Sequence, residues 1–478
     1  MEQLLEKLLP LLPSQEHHKL LAELEKPLRP ALRINPLKQK PEESFPNDLS
    51  HRYHWEFSPI SYCPEGFWQE KENEISLGQT WEHRLGRYYV QDASSMLPVE
   101  LFHLSDIEKP LILDMAASPG GKTTHLISKT RDKGLVIAND ASRDRIQALR
   151  IVLQNWGGLR QAITQFQGER FGEWFPNTFD AILLDAPCSM QNLRPTEARP
   201  MRPISDREER TLAKRQYKLL ESALFAARPG GQIVYATCTL SPEEDEMVLD
   251  WLIKKYARSV HVEDLSKKMG LQAPGLQTYR QQEFNPDIQN AFRLWPHLVS
   301  SSGFFCVRLT KLDEMQGKTK IPPTFSIEKT DFQPVDSKMS QELETFFQQF
   351  QVDLRTQYLQ KGFSLWQRKD VVFLFPDRYF QIMGYLPLRS LGLPIANSIL
   401  DTYLPDHFFL ARCFYENELP STIIEEEWEA PWQAGNAIPA PISDGELHLL
   451  HNVHGEFLGI SKRTNDEFKN LLPRRMIL

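Results

Sequence analysis

Leu111-Ile-Leu-Asp-Met-Ala-Ala-Ser-Pro-Gly-Gly-Lys-Thr-Thr124 reads as a short strand that breaks into a turn of small residues and restarts as a helix. An unbroken apolar run without polar alternation is what a strand buried on both faces requires. Gly120 and Gly121 let the backbone of the turn come close to a ligand, and the helix that follows offers free N–H groups at the carboxyl end of the strand. A strand-to-helix turn of this kind also occurs where nothing binds, so the stretch needs further support. Gly121-Lys122-Thr123 matches the end of the phosphate-cradling G-x-x-x-x-G-K-T loop, but position 116 is alanine and Pro119 stiffens a loop that would have to wrap phosphates. A nucleoside triphosphatase is therefore the weaker reading.

Outward from this turn the alternation continues. Strand-like runs at 111–115, 135–139, 162–166, 179–184, 232–238 and 303–309 are separated by helical patterns such as 143–154 and 208–227, with Pro229-Gly230-Gly231 as the expected stop of the latter. Strands alternating with helices predict an α/β core with a parallel sheet, placed at 106–310. Residues 1–105 hold a leucine-rich amphipathic helix, a Pro-dense basic segment at 26–40 and aromatic runs around Trp55, Phe67 and Trp68, and are read as an N-terminal α+β module. The polar, Pro-bearing stretch 311–334 is the expected linker. In 335–478, strand-like runs at 371–375 and 447–452, turns at Gly455 and Gly459, and an acidic stretch between Glu416 and Glu429 predict a β-rich extension.

The second strand ends in Asn139-Asp140, where doubly wound folds place a carboxylate for ribose hydroxyls. Asp140 could equally cap the next helix. With the incomplete phosphate motif, it points to an adenosine-containing cofactor without pyrophosphate, and S-adenosylmethionine fits that description.

Asp185-Ala-Pro-Cys188 follows the fourth strand run and Ala236-Thr-Cys238-Thr the fifth, so a parallel sheet brings both cysteines to its carboxyl edge. Free cysteines usually fill space in cores, which is the expectation for Cys63, Cys306 and Cys413. The strand-end pair invites another reading. Carbon 5 of cytosine is too weak a nucleophile to accept a methyl group directly, whereas a thiolate adding at carbon 6 creates an enamine that can. That chemistry needs a nucleophilic cysteine, a proton-transfer group and a carboxylate beside the base. Cys238, Cys188 and Asp185 supply the set, and chemistry alone does not choose which cysteine attacks.

Ala116-Ala-Ser-Pro-Gly-Gly-Lys-Thr, Asp185-Ala-Pro-Cys-Ser, Pro229-Gly-Gly and Thr237-Cys-Thr-Leu-Ser-Pro-Glu-Glu occur in this order, with Leu32-Arg-Ile-Asn35, Tyr89-Val-Gln-Asp-Ala-Ser-Ser-Met-Leu97, Leu294-Trp-Pro-His297 and Gly303-Phe-Phe around them. Over residues 26–310 the chain resembles the Nop/Sun family of RNA cytosine-5 methyltransferases. The resemblance implies a Rossmann-like class I methyltransferase core and attack by Cys238, with Cys188 assisting proton removal or product release. It further implies S-adenosylmethionine contacts at Ala116, Ala117, Ser118, Pro119, Gly120, Gly121, Lys122, Asp140, Gln167 and Asp185. Leu365-Trp-Gln-Arg, Gly459-Ile-Ser-Lys and Asn470-Leu-Leu-Pro-Arg are similar to the extension of the branch acting on bacterial 16S ribosomal RNA, which implies a PUA-like RNA-binding module. The chain departs from the family pattern at Ser189-Met-Gln-Asn192, where Ser-Gly-x-Gly is usual, at Gln167, where an acid is common, and at Val152, Asn155 and Ser302.

A net charge of −8 excludes a uniformly basic nucleic-acid coat, so RNA contacts must be local. Three patches are candidates: residues 194–218 with eight Lys or Arg against four acids, residues 462–475 with five against two, and Arg29, Arg33, Lys38 and Lys40. The expected partner is RNA, 16S ribosomal RNA or the small ribosomal subunit first, with transfer RNA and a catalytically silent RNA-binding or assembly role as alternatives. The five cysteines lack C-x-x-C spacing, so no disulfide framework or structural metal is expected. No run approaches the length of a membrane span, and no secretory leader is read at the start, which predicts a cytoplasmic protein, taken as a monomer.

Overall fold

The computed structural model describes every residue except 1, 40–44, 72–73, 196–201, 325–330, 385, 400–401, 441–445 and 478. Seven strands build its centre: β1 (Leu111–Asp114), β2 (Leu135–Asn139), β3 (Gln161–Thr164), β4 (Phe179–Asp185), β5 (Ala227–Thr237), β6 (Val260–Val262) and β7 (Phe304–Lys311). They lie in the order β6-β7-β5-β4-β1-β2-β3. β1 to β5 pair in parallel, and β7 runs antiparallel to both neighbours. Helices α1 (Gly121–Lys129), α2 (Arg143–Trp156), α3 (Asp206–Ala226) and α4 (Glu246–Tyr256) connect and cover them. This is the expected Rossmann-like α/β core.

Alternate residues of the central strands feed two separate cores. Leu111, Leu113, Leu135, Ile137, Ile182 and Leu184 face one, and Ile112, Val136, Ala138, Ala181 and Leu183 face the other. Both faces are covered, so no position can be polar until the strand ends. Each fully buried Leu or Ile contributes roughly 1.5–3 kcal/mol, enough to fix these strands despite their shortness. Because the chain proceeds from β1 to β2 and β3 on one side and returns to β4 on the other, the order reverses between β1 and β4. A crevice opens there, outside the carboxyl ends.

Of the element edges that differ from the sequence reading, two have a visible physical cause. The run at 162–166 becomes Gln161–Thr164, because the Asn139 side chain takes the Phe166 N–H and C=O at 2.9 and 2.8 Å and draws the chain off the ladder. Pro229-Gly-Gly does not separate helix from strand: α3 ends at Ala226 and β5 begins at Ala227. The Pro-Gly-Gly segment is an irregular opening of β5, whose register with β4 shifts between Phe179 and Ala181. A Cβ on Gly231 would meet the Phe179 carbonyl at 2.9 Å.

Upstream, Phe57–Ile60, Cys63–Gln69, Ala31–Ile34 and Tyr88–Val90 form an antiparallel sheet in that order. The leucine-rich start is two helices, Glu2–Leu8 and Ser14–Leu24, broken around Pro10 and Pro13. Their Leu8 and Leu20 pack against Leu193, Leu240 and Trp295 of the core. Downstream, the extension is β-rich as expected, with two five-stranded sheets and the helix His407–Glu416 between them. It joins the core sheet through Ser390–Leu391, which pairs antiparallel with β3. No helix among the described residues is long and apolar enough to cross a membrane.

Candidate active site

The turn after β1 and the end of β4 meet at the crevice. Lys122, in the first turn of α1, donates to Asp185 Oδ2 at 2.8 Å. Burial works against the Lys122 ammonium, yet Asp185 and then the Cys238 thiol raise its pKa overall. Asp114 closes β1: its Oδ2 accepts from Thr123 Oγ1 at 2.7 Å, while its Oδ1 is buried with no hydrogen-bond partner. Burial, reinforced by Asp185, pushes its carboxyl up to about 7. The glycines serve packing. Gly120 sits at φ +117°, where a Cβ would come within 2.9 Å of Val152, and a Cβ on Gly121 would come within 2.8 Å of the Tyr89 ring. Val152, one of the departures, thus lies on the turn together with Leu149 of α2.

β4 and β5 are parallel neighbours with Asp185 opposite Ala236, so the chain places Cys188 and Cys238 together beyond their ends. The two sulfurs are 3.1 Å apart and both are half-buried. The hydrogen bond with Cys238, then burial, then negative charge at Cys238 and Glu244 hold the Cys188 pKa well above that of a free thiol. Cys188 is thereby held toward its protonated form. Glu244 anchors the Cys188 loop by accepting from Ser189 N at 3.0 Å and Gln216 Nε2 at 2.8 Å. Cys63, Cys306 and Cys413 are buried in cores, as expected.

Around these groups lies a cavity of about 480 Å³. Of the predicted residues it is lined by Ala116, Ala117, Ser118, Pro119, Gly121, Lys122, Asp185, Cys188 and Cys238. Gly120, Asp140 and Gln167 are not part of its lining. Asp140 Oδ2 accepts from Ser118 N at 3.2 Å and Oδ1 from Ser142 N at 2.8 Å, which ties the β1 turn to the start of α2. Arg145, which does line the cavity, lies 3.7 Å from Asp140. Gln167 is exposed just past β3, before the short helix Gly168–Arg170. Sequence reasoning did not pick Asp114, Arg145, Asp92, Ser302 and Phe304, which also line the cavity. Asp92 lies within the Tyr89 to Leu97 motif, so a signal for it existed; Ser302 donates to its Oδ2 at 2.7 Å and Ser301 to its Oδ1.

The lining fits S-adenosylmethionine. Two carboxylates, Asp114 with an unpartnered oxygen and Asp185, suit a ligand that carries a sulfonium and an ammonium group, and successive small residues leave room along the β1 turn. Away from the cavity, Cys63, Glu100 and His125 bring donor atoms within 4.8 Å of one another. Glu100 already binds His125 at 2.8 Å and the Lys129 ammonium at 2.6 Å, and burial followed by the Arg33 charge lowers His125 to about 4. The group is a neutral imidazole in a closed hydrogen-bonded brace.

Two members of the N-terminal basic patch are not at the surface. Arg33 is buried, donating to Gly121 O at 3.0 Å and Thr124 Oγ1 at 2.7 Å, and Lys38 is buried, donating to Leu85 O at 2.6 Å. Arg29 pairs with Glu70 at 2.7 Å, and Lys40 lies outside the described residues. In the 194–218 patch, Arg194 is buried against Glu23 and Arg199 lies outside the described residues. Arg207, Arg210, Lys214 and Lys218 share one exposed face of α3, and among the described residues none is ion-paired.

Residues 101–310 match the family described as 16S rRNA methyltransferase RsmB/F, and residues 2–93 match the N-terminal domain of 16S rRNA methyltransferase RsmF. The chain is similar to the ribosomal RNA small subunit methyltransferase F of Erwinia tasmaniensis, at 32% identity across 99% of this chain and 95% of that one. Among solved structures, a methyltransferase homolog protein from Pyrococcus horikoshii superposes with a TM-score of 0.53 and 30% identity, over 65% of this chain and 100% of that one. NSun6 from Pyrococcus horikoshii, solved with SFG, shares the fold with a TM-score of 0.53 at 20% identity, over 66% of this chain and 99% of its own.

Proposed function

Since the chain belongs to the 16S rRNA methyltransferase RsmB/F family, we propose that it methylates carbon 5 of a cytosine in 16S ribosomal RNA through a covalent bond between Cys238 and the base. S-adenosylmethionine supplies the methyl group. The observation that carries the chemistry is the pair of sulfurs 3.1 Å apart in the lining of a cavity that also holds Lys122 and Asp185.

The family resemblance assigns the attack to Cys238, and the electrostatics support that reading. A protonated Cys188 beside Cys238 favours negative charge on Cys238, and the Lys122 ammonium adds to it. The Cys238 thiolate adds to carbon 6 of the ring, and the electron pair displaced onto carbon 5 takes up the methyl group. A base then takes the carbon 5 proton, which restores the double bond and expels the thiolate; Cys188 assists as that base after giving up its own proton to solvent, or as the acid that helps release the product. Asp185, beside the ring, favours its activated form. The target base must leave its stack to reach the sulfurs. Ala116 to Lys122 and Asp185 hold the cofactor, with Asp140 and Gln167 assigned to its nucleoside end once Arg145 releases Asp140.

We further assign the work by region. Residues 106–310 carry the reaction, 1–105 and 335–478 dock RNA, and 311–334 link core to extension, in a cytoplasmic monomer. The α3 face from Arg207 to Lys218 borders the Cys188 loop and has no carboxylate of its own to satisfy, which suits phosphate contacts. The test is label transfer from radiolabelled S-adenosylmethionine to deproteinised small-subunit RNA, with digestion to nucleosides. Label in 5-methylcytidine is the expected result. Cofactor binding without label in any RNA would overturn it in favour of a non-catalytic assembly role, and label confined to transfer RNA would overturn the target.

A further inference from the structure

The loop that follows Cys188 is fastened at nearly every residue. Ser189 binds Glu244 and lies 3.2 Å from Thr239 Oγ1. The Gln191 side chain donates to Ser189 O at 3.1 Å and Arg202 O at 3.0 Å, and its carbonyl accepts from Leu240 N. The Asn192 carbonyl accepts from Gly303 N at 2.9 Å, Leu193 is buried against the N-terminal helices, and Arg194 donates to the Lys26 carbonyl at 2.6 Å. Met190 differs. Its side chain is 44% exposed, it lines the cavity beside Cys188, and its φ of +59° lies in the left-handed region that glycine occupies freely and methionine does not.

Leu193 of the same loop shares the left-handed conformation but is buried, so what sets Met190 apart is an apolar side chain held exposed on a fastened loop beside the two cysteines. Asp92, Ser95, Asn192 and Ser302 line the same cavity, and Val90 is the other exposed large apolar side chain in its lining. We propose that Met190 is a wedge that enters the RNA stack at the place the target cytosine leaves. Resting on the RNA-methylation reading above, the inference follows from the position of the residue. The sulfurs are half-buried and Met190 is exposed in the lining of one cavity, so a base that reaches the sulfurs leaves its stack beside Met190. Apolar side chains, methionine included, hold open the gap that such a base leaves by packing on the flanking bases. An unbranched thioether adapts to either a purine or a pyrimidine neighbour.

The test compares kcat/KM on deproteinised small-subunit RNA folded with magnesium and on the same RNA cut into short unstructured fragments. Stacking resists base extrusion only in the folded form. For Met190→Ala the folded-to-fragment ratio should fall at least tenfold, and Met190→Leu should restore most of it, with cofactor affinity measured in each variant to show that the site is intact. An unchanged ratio in Met190→Ala, or no recovery with leucine, would overturn the wedge while leaving the reaction standing. If the unaltered protein methylates neither RNA, the reading beneath it fails instead.

Discussion

Asp114 ends its strand in an environment that favours the neutral carboxyl, and its position explains both its burial and its use. An unfolded aspartate titrates near 3.9, so across the interval from about 4 to about 7 the folded chain keeps a proton that the unfolded chain has lost. The stabilisation from this site is complete below the lower value and disappears as pH rises through the upper one. Asp114→Asn stays neutral and keeps an acceptor for Thr123. In thermal melts between pH 4 and 7 the unaltered protein should therefore lose stability relative to the variant, by up to about 1.4 kcal/mol per pH unit; parallel pH profiles would contradict the assignment. At this scale the sequence was legible where chemistry is local. The Cys188, Cys238 and Asp185 set could be named from strand ends and cytosine chemistry. Arg33 and Lys38 could not be placed, because nothing in a run of basic residues says that α1 and the Leu85 turn will cover them.

The turn between β1 and α1 is shaped by what packs on it. Gly121 has ordinary φ, so its lack of a side chain answers only to the Tyr89 ring. Gly121→Ala should cost about 1–3 kcal/mol by overpacking, and pairing it with Tyr89→Ala should recover part of that cost in a double-mutant cycle; purely additive losses would show that the ring is not the obstacle. On α3, replacing Arg210 and Lys214 together by Glu should weaken RNA binding and lower the slope of log affinity against log salt by about 2. An unchanged slope would remove that face from the interface. The apolar runs of β1, β2 and β4 were readable because burial on both faces forbids polar positions. The start of β5 was not: Pro-Gly-Gly has the composition of a stop, and only pairing with β4 turns it into an irregular strand opening. Asp92 lies within the Tyr89 to Leu97 motif and Ser302 is one of the departures from the family pattern, but the sequence assigns neither to the site, because nothing local shows that the fold joins them there.

Across the whole molecule, the three regions are bound by buried charge. Arg87 of the N-terminal part, flanked by the Phe45 and Tyr415 rings, pairs with Glu456 of the extension, and Arg412 of the extension pairs with Asp132 of the core at 2.5 Å. Trp81 Nε1 donates to the Phe457 carbonyl at 2.8 Å alongside. Removing one member leaves an uncompensated charge, so Glu456→Ala should cost about 3–5 kcal/mol, whereas Arg87→Met with Glu456→Leu should recover most of it; calorimetry showing no loss would mean the extension docks without this pair. Neither contact was legible in the sequence, since the partners are hundreds of positions apart. The central claim concerns the two sulfurs acting on RNA, and denaturing gels of enzyme incubated with small-subunit RNA and S-adenosylmethionine test it most directly. Cys188→Ala should accumulate a covalent protein–RNA band, while Cys238→Ala should form none and transfer no methyl group. A band retained in Cys238→Ala and absent in Cys188→Ala would reverse the roles and contradict it.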